Sequence, residues 1–180
     1  DGYAKRVSLR SYNASEGSLT GMKEGDQLIG HREADTLDTL LLFTSKGNYA
    51  YLPVYQIEEA KWKDVGTHIN KFIKIDPDDK IVNCINIKNF DTYAWIVTIS
   101  DGGYIKKTPI SQWQVQRNSR VMPAMKIKAS DTMVKAFVAY AHQEVVLVTR
   151  EGMVSRYNVD TIPSTNTRSQ GVKAVKLSAG

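Results

Sequence analysis

The stretch LFTSKGNYAYLPVYQI, residues 42–57, reads as a β-hairpin. An apolar run meets a Lys-Gly turn, and apolar–polar alternation resumes beyond it. Nearly the same phrase returns as VTISDGGYIKKTPISQW at 97–113 and as LVTREGMVSRYNVDTI at 147–162. One hairpin is local structure. Three copies in register are an architecture, and repeats of this length indicate stacked supersecondary units.

Taking Gly47, Gly102 and Gly152 as turn anchors puts Tyr49, Tyr104 and Val154 two residues on, and Tyr51, Lys106 and Arg156 four residues on. Gly2, Ala4 and Arg6 fit the same frame. A second marker, Asp-x-apolar-apolar, stands at Asp26, Asp79 and Asp131. Both markers recur about every fifty residues, which divides the chain into repeats at 1–39, 40–92, 93–141 and 142–180.

Each unit is expected to hold four strands, placed in the second repeat at 40–45, 48–55, 69–75 and 80–88. Val, Ile, Tyr and Thr enrichment with flanking Gly favours strand over buried helix. SKGN, SDGG and REGM supply the glycine a tight turn requires, and YQIEEAKWKDV could form a helical turn or two. Four-stranded units of this length are blades of a propeller-like, all-β array in one domain. The first repeat lacks its leading strand and the last stops before its closing one, giving about three and a half to four blades. The array is therefore expected to be open, or the sequence to be cut from a longer chain.

Charge is uneven along the repeats. Residues 1–39 carry five Lys/Arg against seven Asp/Glu, residues 40–92 seven against seven, residues 93–141 seven against two, and residues 142–180 five against three. Arg6, Lys106 and Arg156 share the slot after the turn glycine, with Lys107 beside the second. Lys61, Lys63, Arg117, Arg120 and Arg168 lie in the polar loops that follow each hairpin, and Lys173 comes shortly after. Together these ten are the candidate DNA contacts, since cations in a series attract phosphates through counterion release. No recognition helix or zinc-finger pattern accompanies them, so base reading is not expected. Solvated faces that keep the chain soluble are the plain alternative.

Other chemistry is not legible. His31, His68 and His142 are scattered, and with the single Cys84 in an alternating apolar run they offer no zinc spacing. DPDDK lacks the glycine and terminal Glu of a calcium loop, and SDGGY lacks the Lys-Ser/Thr of a P-loop. Trp62, Trp95 and Trp113 read as packing anchors. No nucleophile–base arrangement stands out, so a non-catalytic domain without a cofactor is expected. No run approaches the roughly twenty apolar residues of a membrane span, and a lone thiol suits a reducing, cytoplasmic setting.

The phrases LLLFTSKGNYAYLPVYQI, VTISDGGYIKKTPISQW and VLVTREGMVSRYNVDTI, with DDKIV and SDTMV between them, resemble the repeats of the C-terminal domain of bacterial type IIA topoisomerase A subunits. That resemblance covers essentially the whole chain. It implies a β-pinwheel, a disc of four-stranded blades that exchange a strand, with a basic rim that bends duplex DNA. It also implies an accessory role in a parent ATP-dependent type II DNA topoisomerase, cytoplasmic and nucleoid-associated. Cleavage, ATP and magnesium would be served by other regions of that parent. So would contacts to its B subunit, and to a second A subunit. The Gly-rich basic box of gyrase, Gln-Arg-Arg-Gly-Gly-Lys-Gly, has no counterpart. Residues 11–26 are acidic, and VQRNSR at 115–120 lacks the glycines. The chain therefore looks more like the topoisomerase IV A subunit, and SLRSYNASEG and VYQIEEAKWKDVG look like its Gram-positive form. There the domain would position the transported duplex and tune preference for supercoiled or catenated DNA. The rival is a protein-interaction scaffold that binds no DNA; a small-ligand-binding propeller is a third reading.

Overall fold

The computed structural model describes residues 2–15 and 21–174. Residues 16–20, part of the segment compared with the gyrase box, and the closing residues 175–180 lie outside that description. The described chain is built from strands β1 (Tyr3–Ala4), β2 (Thr39–Thr44), β3 (Asn48–Pro53), β4 (Thr67–His68), β5 (Ile81–Ile87) and β6 (Trp95–Ser100). β7 (Tyr104–Pro109), β8 (Met122–Pro123), β9 (Met133–Ala139), β10 (Glu144–Val148), β11 (Val154–Asn158) and β12 (Val172–Lys173) follow. One short helix, α1 (Leu9–Ala14), is capped by the Ser8 hydroxyl. No helix among these residues is long and apolar enough to cross a membrane.

Two complete antiparallel blades result, ordered β5-β2-β3-β8 and β9-β6-β7-β12. Two partial ones flank them, β1 with β4 and the hairpin β10–β11. Both complete blades carry a register shift at the same place, after Phe43 and after Ile99. The outer strand of every completed pairing comes from the following repeat. β4 joins β1, β8 joins β3, and β12 joins β7. The 3₁₀ turn after each hairpin (Val54–Gln56, Ile110–Trp113, Val159–Thr161) starts a crossover that ends in this exchanged strand.

The expected third strand at 69–75 is not a strand. Only Thr67–His68 pair, and Ile69–Lys71 form a 3₁₀ turn in which the Phe72 and Ile73 amides return to the Ile69 carbonyl. Its apolar residues Ile69, Ile73 and Ile75 are buried as plugs against β2 and β3 rather than laddered. The strand expected after Asp26 is also missing, and Leu28 and Ile29 are exposed. β5 and β9 pair with the leading strand of their own hairpin, and among the described residues no strand pairs with the segment after Asp26. The turn glycine of the third repeat is Gly103 rather than Gly102: Gly2, Gly47, Gly103 and Gly152 share φ values of 79–81°. Lys107, not Lys106, therefore aligns with Arg6, Tyr51 and Arg156.

Because blades stack on both faces, the leading strands must be apolar throughout. Leu41 and Phe43 face the third repeat with Ile96, Met133 and Trp113, while Leu42, Ala50 and Leu52 face the other way. Trp113 is fully buried, edge-on to Phe43 and Tyr49 at 5.3 and 5.0 Å, and its indole donates to the Thr108 carbonyl. The Tyr49 hydroxyl donates to the Trp113 carbonyl, and burial pushes its pKa up to about 12.

The recurring Asp clamps the hairpin turn. Asp79, 6% exposed, accepts from the Thr44 and Ser45 hydroxyls, the Lys46 amide and the Asn48 side chain. Asp131 does the same work with fewer donors, the Gly102 and Thr132 amides. Removing the Asp79 carboxylate orphans four donors, each charge-assisted. Asp79→Ala should lower unfolding free energy by about 3 kcal/mol, and Asp131→Ala by about half that. Urea midpoints at unchanged m value would measure both.

Candidate nucleic-acid interface

The crossovers decide which cations reach solvent. Lys61 and Lys63 lie between Val54–Gln56 and β4, Arg117 and Arg120 between Ile110–Trp113 and β8, and Arg168 between Val159–Thr161 and β12. All five are exposed. Each crossover runs to the same edge of the blade before it, opposite the edge formed by β5 and β9. Successive crossovers also touch. Lys74 bridges Arg120 in a parallel pairing, and the Lys126 amide donates to the Ser169 carbonyl beside Arg168. The loops separated in sequence by a full repeat thus form one continuous edge, with Lys74 and Lys126 added to it. Lys173 sits on this edge in β12, 5.1 Å from the Tyr104 ring centre, and donates to the Gly102 carbonyl. Lys128 meets the same tyrosine, donating to its hydroxyl at 3.4 Å.

Lys106 and Lys107 do not belong to that edge, and the expectation that they would is corrected. Lys106 is 0% exposed and donates to the Asn166 carbonyl at 2.6 Å. Lys107 is 6% exposed, donates to the Val159 carbonyl at 2.7 Å and lies 4.7 Å from the Trp95 ring centre. Both ammonium groups stitch the third repeat to backbone carbonyls of the fourth. Arg6 is half-buried and does the same two junctions earlier, its Nε donating to the Ile57 carbonyl at 3.0 Å. Lys5 completes the parallel, donating to the Trp62 and Asp64 carbonyls at 2.6 and 3.0 Å. The pair Lys5-Arg6 in YAKR thus answers Lys106-Lys107 in YIKK, and both follow a tyrosine after the turn glycine. That dyad is the sequence signal of a structural role. Arg156 is exposed on β11 and lies 3.4 Å from the Glu144 carboxylate, a weak surface pair.

Burial sets the chemistry of the stitches. Lys106, with no opposing carboxylate among the described residues, is pulled down to about 7 by desolvation. Lys5 is also lowered by desolvation, with Asp64 opposing. Burial pushes the half-buried Cys84 thiol up to about 11, with Arg32 opposing, so little thiolate is present near neutral pH. With Lys106 and Lys107 sequestered, the surface excess of the third repeat is smaller than its sequence suggests, but its exposed cations are concentrated on the crossover edge.

The family model described as the DNA gyrase C-terminal domain, beta-propeller, matches residues 38–88, 94–139 and 143–180. The chain belongs to this family. Its matched segments each begin just before, and include, the hairpin and its closing strand or crossover. The chain is 36% identical over 178 residues to the A subunit of DNA topoisomerase 4 from Staphylococcus aureus (strain MRSA252), covering 99% of this chain and 22% of that relative. It therefore spans less than a quarter of that protein. A crystal structure of the C-terminal domain of DNA topoisomerase IV superposes with a TM-score of 0.89 at 37% identity, covering all of this chain and 56% of that one. The E. coli ParC C-terminal domain shares the fold, with a TM-score of 0.77 at 14% identity, 98% of this chain and 68% of that one. The fold is accordingly the β-pinwheel of these A-subunit domains, and the similarity favours the topoisomerase IV branch.

The Lys106 amine gives a pH signature with a fixed sign. In the unfolded chain it titrates near 10.5, in the folded chain near 7. Between those values the unfolded chain holds a proton that the folded one lacks, so stability rises with pH across that window and is flat in this group below it. Urea midpoints should climb from about pH 7 to pH 9, and the Lys106→Met variant should lose that part of the climb.

Proposed function

We propose that this domain binds duplex DNA along its crossover edge, without reading sequence, and bends it, as the accessory domain of a topoisomerase IV A subunit. The observation that carries the reading is the convergence of Lys61, Lys63, Arg117, Arg120 and Arg168 onto one edge through three equivalent crossovers. All five stand in solvent-facing loops. Long cations in such positions suit phosphates, which fix position rather than sequence. On a disc of stacked blades such a row of charges would run along a curve. Following that curve costs a duplex about 1–6 kcal/mol of bending, which phosphate contacts at each blade can offset.

In the parent the domain would position the transported duplex and bias the choice between supercoiled and catenated DNA. The absence of a gyrase-type basic box in the first, net acidic repeat agrees with a role in holding rather than wrapping. Strand cleavage, with ATP and magnesium, would fall to other regions of the parent. Contact with the B subunit, and with a second A subunit, would fall there too. The setting would be cytoplasmic and nucleoid-associated.

A duplex titration across salt tests the reading. If the six exposed cations including Lys173 engage phosphates, the slope of log K against log salt should lie near −5 (about −0.9 per phosphate). The double change Arg117→Ala with Arg120→Ala should reduce it by about 2. Lys106→Met, which alters a buried stitch, should leave affinity within about twofold. Affinity indifferent to salt would sink the proposal. Ring closure of short DNA, enhanced by the protein, would report the bend.

A further inference from the structure

The end of each blade opposite the hairpin turn is where the crossovers start, and it carries none of the cations of the crossover edge. There a short turn leads into the first strand of each hairpin, and its wording repeats: Asp35-Thr36-Leu37 before β2 and Asp91-Thr92-Tyr93 before β6. The same backbone bond closes each turn. The Val54 amide donates to the Asp38 carbonyl, the Ile110 amide to that of Ala94, and the Val159 amide to that of Gln143. Leu37, Tyr93 and His142 are therefore equivalent positions on three successive blades. Leu37 is 89% exposed, Tyr93 is 79% exposed, and the His142 side chain is 90% exposed.

A single exposed apolar side chain needs no explanation. Two at equivalent positions, each two residues beyond an aspartate, are a pattern. Neither Leu37 nor Tyr93 belongs to a core cluster. Tyr55, just beyond β3, adds a 63% exposed ring at this end. The charge here is opposite to that of the crossover edge. Asp35, Asp91, Glu144 and Asp160 are exposed around these turns, against Lys88 at the end of β5 and Arg156 beside Glu144; Asp160 is already met by His142 at 2.9 Å, which leaves Asp35 and Asp91 as the carboxylates open to a partner. Phosphates would be repelled from such a surface, while cationic side chains would be drawn to it.

We infer that this end of the domain is a protein-docking face for a segment carrying Lys or Arg interleaved with apolar side chains. The aspartates would receive the cations, and Leu37 and Tyr93 would act as apolar anchors of the kind that concentrate binding energy. The face shares no residue with the crossover edge, so it stands or falls independently of DNA binding.

The probe is a short synthetic peptide alternating Lys and Leu, titrated into the full chain and followed by backbone amide resonances. Its controls are a Glu/Leu peptide, a Lys/Ser peptide, a duplex, and dilution of the protein alone. The Lys/Leu peptide should move the amides of residues 35–37 and 91–93, and both control peptides should bind at least about tenfold more weakly. Leu37→Ser with Tyr93→Ser, and separately Asp35→Asn with Asp91→Asn, should each weaken the Lys/Leu peptide by about tenfold and leave duplex affinity unchanged. The second pair keeps the test open if the first disturbs folding. Unchanged peptide affinity in both pairs would overturn the inference. So would duplex DNA moving the same amides, or self-association of the protein that these changes abolish.

Discussion

The fold hangs on one backbone contact repeated at each blade junction: the carbonyl of a turn glycine receiving an amide from the next repeat. Gly2 accepts from Ile69, Gly47 from both Ala124 and Met125, and Gly103 from Ala174, at 2.8–2.9 Å. The approach is close enough that a Cβ on Gly47 would fall 2.3 Å from the Met125 carbonyl oxygen, and φ there is +80°. Glycine is thus required twice over, by conformation and by space. The contact seats β4, β8 and β12 on the preceding blade, so no complete blade is made from one repeat. Stability is shared between neighbours, as expected of quasi-one-dimensional arrays.

That sharing governs where charge can go. A crossover laid over the outer strand of the preceding blade covers whatever side chains point toward it. Where these are Lys5 and Lys106, the ammonium groups are held by carbonyls of the covering segment. In the second repeat the corresponding residue is Ala50, and the junction is apolar. The same covering segment presents its own cations outward. One structural device thus buries some cations and exposes others, and the separation is complete enough to define an edge. Thr98 and Thr108, buried on the same side of the third blade as Lys106, make this junction more polar than the corresponding face of Leu42 and Leu52. The Thr98 and Thr108 hydroxyls find no hydrogen-bond partner among the described residues, so this polarity is a cost in stability that the junction carries.

Much of the fold was legible because blade stacking forces a repeated pattern. Apolar runs such as LLLF and WIV must be buried on both faces, and turn glycines and clamping aspartates recur because each hairpin faces the same geometric demand. The third strand was not legible because Ile69, Ile73 and Ile75 have the spacing of a buried segment but plug a gap instead of pairing. The Asp26 segment misleads because the motif describes the strand's own residues and not the partner a ladder needs, and no described strand pairs with it. Gly102 and Gly103 are adjacent, and only the sign of φ tells which one makes the turn.

The sequence by itself determined the period, the all-β class, the hairpins and the identity of the loops that carry cations. Those follow from residue types whose backbone preferences and burial are local or periodic. Tertiary structure alone decided which repeat completes which blade, and therefore which lysines are covered. The dyad after the turn tyrosine marks the slot of Lys106 and Lys107, but nothing in it says that a later segment covers them while Lys61 and Lys63 stay exposed. What separates them is a carbonyl roughly fifty to sixty residues away, brought within 2.6–2.7 Å by the exchanged strand. No local preference records such a contact, because the hydrogen-bond partner exists only once the neighbouring repeat has folded over.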